Sequence, residues 1–118
     1  MTLKIGKNSA VQTDFLLTDT AVIATPVDNA FGGAVTIHTI VLNCAGAVAY
    51  YKFYDTAAAD VGTDDPVIIL QADAGEITVW NIIDGIALTN LSYAQTNSLG
   101  TGGDVAATGT KQLFLHVR

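Results

Sequence analysis

The residues most able to do chemistry are acidic. Asp55, Asp60, Asp64 and Asp65 fall within eleven positions, between two β-rich runs. Oxygen-rich loops of this kind suit calcium, but the D-x-[DN]-x-[DN]-G spacing of an EF-hand is absent. Aspartates also favour turns, because their carboxylates accept hydrogen bonds from nearby backbone amides. Turn chemistry is therefore the expected role. A glycosidase pair could be drawn from the same set, but no aromatic sugar-binding cluster accompanies it. His38 and His116 sit in separate strand-like runs, and no CxxC, HxH or HExxH spacing joins them to Cys44 as zinc ligands. Cys44, the single cysteine, lies in a proposed Asn43 to Gly46 turn with no local cation to activate it. Gly100-Thr101-Gly102-Gly103 lacks the Lys-Ser/Thr pair of a phosphate loop. Ser9, Ser92 and Ser98 lack a G-x-S-x-G context. No base, nucleophile and orienting group come together. The chain is expected to be no enzyme, with no catalytic residue, no cofactor and no metal ligand.

Binding is the remaining class of function. Tyr50, Lys52 and Tyr54 alternate along one face of a strand, and tyrosine is enriched at interfaces. Lys52 marks that face as the wetter one. The competing reading is that the tyrosines pack beneath a loop or a neighbouring sheet. Lys4 and Lys7 make the N-terminal segment basic, and they join Tyr50, Lys52 and Tyr54 as candidate interface residues. The rest of the charge is acidic: five Lys/Arg stand against eleven Asp/Glu, a net charge of −6. No cation lies between Phe53 and Thr110, where eight acids do. Nucleic acid and anionic membranes are thus not expected partners, since both need a basic surface. The N-terminus lacks the apolar stretch of a signal peptide. No apolar run approaches the ~20 residues of a membrane span.

The elements that must position these residues read as strands. Charged residues are only 14% of the chain, and the β-branched content is high. Strands are predicted at Ala21–Thr25, Val35–Asn43, Val48–Asp55, Val67–Ala72, Glu76–Asn81, Leu91–Thr96 and Gln112–Arg118. The continuous apolar run from Val67 reads as covered on both faces. Tight turns are predicted at Asp73-Ala74-Gly75, as a hairpin, and at Asp84-Gly85. Asn90 is expected in the left-handed region. The Gly-rich stretch 97–109 reads as a long mobile loop, and Thr56 to Asp60 offers at most one helical turn. The result is a single-domain antiparallel β-sandwich over residues 19–118. Residues 1–18 read as an arm or irregular segment.

Three segments then carry a resemblance. Ala49-Tyr50-Tyr51-Lys52-Phe53-Tyr54-Asp55 is followed by Val61-Gly62-Thr63-Asp64-Asp65-Pro66, and later by Asp84-Gly85-Ile86-Ala87-Leu88-Thr89-Asn90-Leu91-Ser92-Tyr93-Ala94. This order resembles small virion proteins of tailed bacteriophages. In these a V-Y-L-K-L-Y-D strand, a V-G-T-x-x-P turn and a G-I-A-F-x-x-G-L-S-Y-A segment recur. Asn90 replaces the usual glycine and Leu88 the usual aromatic. The likeness runs from about Val35 to Arg118. It implies a jelly-roll-like sandwich and a place on the virion, as a capsid decoration (cement) protein made in the host cytoplasm. The implied partners are the major capsid protein and further copies of the chain. A trimer on a threefold junction is expected, with the basic N-terminal arm ordering on contact. The alternative within the virion is a head-fibre or tail-tip module that binds the host surface.

Overall fold

The computed structural model describes residues 3–7 and 15–118, with the backbone alone at positions 6 and 7. Eight strands occupy them: β1 (Leu3–Lys7), β2 (Phe15–Asp19), β3 (Val35–Cys44), β4 (Ala49–Asp55), β5 (Ile68–Ala72), β6 (Ile77–Leu88), β7 (Leu91–Thr96) and β8 (Lys111–Val117). They form two antiparallel sheets, one ordered β1-β2-β8-β3-β6 and the other β5-β4-β7. The described residues contain no helix.

Alternation along each strand sorts the side chains. Opposite residues in an antiparallel pair share a face. The register therefore lines up Leu17, Leu115, Ile40 and Trp80 in one inward row, and Asp19, Leu113, Leu42 and Thr78 in the next. From the smaller sheet, Tyr51 and Leu70, then Phe53, Ile68 and Tyr93, point back at them. Leu17, Ile40, Leu42, Tyr51, Phe53, Tyr93, Leu113 and Leu115 are all buried. Each such side chain contributes roughly 1.5–3 kcal/mol relative to exposure. Two tyrosines also stitch the sheets together. Tyr51 Oη donates to the Gln112 carbonyl (3.0 Å), with the Asn43 carbonyl at 3.4 Å sharing the same proton, and Tyr93 Oη donates to Asp19 Oδ2 (2.7 Å).

Several expectations are corrected. The segment 1–18 is not irregular where it is described. β1 and β2 are strands of the larger sheet, β2 pairs with β8, and the boundary proposed at residue 18 falls inside β2. Its remaining residues, 1–2 and 8–14, lie outside the described ones. Ala21–Thr25 is not a strand, although Ile23 accepts from the Gln95 amide and Val27 bridges Tyr93. β5 is an edge strand instead of a doubly covered one, and Val67 before it is exposed. Asp73-Ala74-Gly75 joins no hairpin. It carries the chain from one sheet to the other, with Gly75 at φ 76° as its turn requires. The left-handed non-glycine residue among those described is Asn29 (φ 45°), not Asn90.

Asp84-Gly85 does not end a strand either. Asn81 pairs with Thr39 and Ile86 with Ile37, so Ile82 to Gly85 stand opposite His38 alone. This is a bulge inside β6. Gly85 (φ 74°) makes it possible, since a Cβ there would sit 2.3 Å from Thr36 Cγ2 and 2.9 Å from His38 Cε1. Gly85→Ala should lower stability by about 2–3 kcal/mol, through the clash and the positive φ together. Urea unfolding would measure it, and an unchanged midpoint would contradict this account of the bulge.

Candidate functional site

The face assignment of β4 holds, but its wetness does not. Tyr50, Lys52 and Tyr54 do share the face opposite Tyr51 and Phe53. Lys52 is 0% and Tyr54 1% exposed, and Tyr50 is half-buried. Two of the five candidate interface residues therefore lie inside the subunit. The cover is the Gly-rich stretch 97–109, which folds across the small sheet. Lys52 Nζ donates to the carbonyls of Gly100 (2.7 Å) and Gly103 (3.0 Å). Asn97 N donates to the Val105 carbonyl, and Ala107 N to Gln95 Oε1. The loop is thus tied down at several points. Burial lowers the Lys52 pKa from its ordinary value, and nearby Asp104 opposes that shift. Tyr54 Oη has no hydrogen-bond partner among the described residues. Burial, and then the charge of Asp64, raises its pKa.

Lys111 is a second interior lysine, which the sequence pattern did not single out. Its ammonium donates to the carbonyls of Ala45, Ala47 (2.6 Å) and Thr108 (2.8 Å). All three protons of the group are used. They clasp the β3–β4 turn to the segment before β8, where Gly46 and Gly109 pass so closely that a Cβ on either would meet backbone. Lys4 is exposed on β1, and the side chain of Lys7 lies outside what is described.

The acids are spread over several backbone positions. Asp55 Oδ1 accepts from the amides of Thr89 and Asn90, Asp64 Oδ2 from the Asp60 amide, and Asp65 Oδ1 from Thr101 Oγ1. Among the described residues no three His, Cys, Asp or Glu side chains form a metal-sized group. His38 and His116 are close, with ring centroids 6.0 Å apart, because His116 pairs with Thr39, the neighbour of His38. Cys44 ends β3 instead of lying in a turn. It is fully buried, and its single thiol proton lies within reach of the Ala47 and Ala72 carbonyls. Cavities are small. One beside Ala34 and Leu88 measures about 250 Å³, below the ~300–1,000 Å³ of ordinary ligand pockets.

The surface that remains is the outer face of the five-stranded sheet. Three outward rows cross it: Leu16, His116, Thr39 and Asn81; Thr18, Phe114, Val41 and Val79; and Gln112, Asn43 and Ile77. From β2 to β6 these three rows hold no Lys, Arg, Asp or Glu; Lys4 continues the Thr18 row on β1, and Arg118 lies in a further outward row with Thr36 and Ala87. Leu16, Val79 and Ile77 are at least half exposed. A depression of about 210 Å³ lies among Leu16, Val41, Phe114 and His116. Spacing and charge in the sequence point to the smaller sheet; this face belongs to the larger one.

Comparison with known proteins gives no match among family models, curated proteins or solved structures. The functional reading therefore rests on the surface itself and on the three segments described above.

Two measurements test this site chemistry. Lys111→Met should cost about 3 kcal/mol, because three backbone carbonyls lose a charged donor together; chemical denaturation would read it. Alkaline pH should unfold the protein. The pKa values of Tyr51, Tyr54 and Tyr93 are raised, chiefly by burial, and for Tyr93 also by its bond to Asp19. Below their ordinary value of about 10 these phenols are neutral folded or unfolded, and stability is unaffected. Above it only the unfolded chain releases their protons, so stability falls as pH rises. Lys52, with its lowered pKa, acts in the opposite sense, but one lysine stands against three tyrosines. Tyrosinate absorbance should rise together with loss of circular dichroism, and a gradual rise without unfolding would oppose the burial argument.

Proposed function

We propose that this protein is a capsid decoration (cement) protein of a tailed bacteriophage, which binds the outside of the shell and bridges capsomers. The carrying observation is the uncharged stretch of the larger sheet's outer face between β2 and β6, bounded by Lys4 on β1 and by Arg118 opposite Thr36. Such a face can be buried against a partner with little charge to desolvate. Its apolar side chains are contiguous across four strands, as expected of an interaction site and not of scattered surface residues. The major capsid protein is the proposed partner. The reading assigns no enzymatic activity, no cofactor and no contact with nucleic acid.

The resemblance supports it through the same fold. Its three segments are β4, the turn leading to β5, and the end of β6 running into β7. Strand order favours the finer assignment of a jelly roll. β2-β8-β3-β6 has the order of one jelly-roll sheet. The other follows if the stretch bonded to β7 through Ile23, Val27 and Ala30 stands as an irregular fourth strand beside β7-β4-β5. β1 is then an added strand on the first sheet. In this reading Lys4 and Lys7 belong to an edge strand of the virion protein.

Image reconstruction of the particle should place the chain on the outer shell, with a copy number comparable to that of the shell protein. A few copies at the tail or on fibres would favour a host-binding module instead. Leu16→Asp puts a charge on the outer face at a half-exposed position. It should weaken binding to undecorated shells at least tenfold while leaving the melting temperature unchanged. Undiminished binding would remove this face from the interface.

A further inference from the structure

The two histidines of the chain are far apart in sequence but neighbours on the larger sheet. His116 of β8 pairs with Thr39 of β3, and His38 is the residue before Thr39. The register shifts at this point, and the two rings lie with centroids 6.0 Å apart and planes inclined at 43°. Both side chains are half-buried. β3 is flanked by β8 and β6, so the pair stands on backbone held from both sides. Side chains on paired strands are placed more precisely than side chains on loops. Gly85 leaves the His38 ring its space, since a Cβ there would lie 2.9 Å from His38 Cε1. No HxH or HExxH spacing announces this pair; strand pairing creates it.

Imidazole is a ligand for copper, nickel and zinc. Metal–nitrogen bonds of about 2.0–2.1 Å put the centre of a bound ring about 3.2 Å from the ion, so two rings on one ion have centres about 4.5–6.4 Å apart. The observed 6.0 Å falls within that interval. We propose that His38 and His116 together bind one divalent transition-metal ion on the outer face of the sheet, copper most tightly. Each ring needs one nitrogen for the ion, and a hydrogen bond at the other nitrogen orients it. Water fills the remaining positions, as in metal sites with few protein ligands. Charge favours a cation here. The chain carries −6, and Leu16, Thr39 and Asn81, which share the row of His116, bring no positive charge. Asp84 belongs to the β6 segment opposite His38, and Arg118 stands in a separate row beside Thr36. The site does not depend on the proposed capsid role.

Copper(II) added to the full chain in a weakly coordinating buffer should bind one ion per chain. Its electron paramagnetic resonance spectrum should show two equatorial imidazole nitrogens, and the chain has no histidines besides these two. Nickel and zinc should bind the same rings more weakly. His38→Asn and His116→Asn should each raise the copper dissociation constant about tenfold or more, since even loss of an orienting partner costs a metal site that much. Circular dichroism and the melting temperature without metal check that each variant folds. In the unaltered chain, substoichiometric copper should broaden the imidazole proton signals of both histidines together, a readout that needs no variant. A spectrum with one imidazole nitrogen or none, or broadening of one ring alone, overturns the proposal. So does a folded variant that binds copper as tightly as wild type.

Discussion

Two ammonium groups taken out of water hold this fold's loops in place. A lysine charge withdrawn from solvent is costly unless its protons find acceptors. Lys52 finds them in the carbonyls of Gly100 and Gly103, and Lys111 in those of Ala45, Ala47 and Thr108. Lys111 joins the β3–β4 turn to the approach to β8, and so locks one end of the sandwich. Lys52 draws a long loop across the outer side of the small sheet. That loop decides which surface of the molecule is left for partners.

The two sheets end up unequal as a consequence. The three-stranded sheet is covered on one side by the core and on the other by the 97–109 loop, and β7 (Leu91–Thr96) is buried along its whole length. The five-stranded sheet has one covered side only. Its outer rows carry neutral and apolar side chains, and its last strand carries exposed aliphatic residues to the rim. With two lysines interior, the surface is more acidic than the formal charge implies. The outer sheet face between β2 and β6 is uncharged from Gln112 to His116 of β8, with Lys4 and Arg118 at its borders. The proposed shell contact uses this region.

Most strands were legible because side-chain alternation is local. Leu113, Leu115 and Val117 were expected on one side of the last strand and are buried there. The same logic separated Tyr51 and Phe53 from Tyr50, Lys52 and Tyr54. It failed on which of the two faces meets water, since a lysine stem can be buried whenever a distant loop supplies carbonyls. It failed also at Asp84-Gly85, where a positive-φ glycine reads as a turn but serves a bulge. Asp19 drew no notice, because its partner Tyr93 lies 74 residues away. Lys111 was only one cation among five, with its three acceptors on other segments.

Composition and periodicity by themselves determined an all-β chain with an acidic, sparsely charged character and a preference for turn-forming aspartates. These properties follow from residue type and nearest neighbours. Only the tertiary structure decided that there are two antiparallel sheets of five and three strands, that Asp73-Ala74-Gly75 crosses between them, and that the Lys52 face is interior. Each of these depends on contacts between residues far apart in the chain. Such pairings are set by the joint packing of both sheets and their loops, which no single segment encodes.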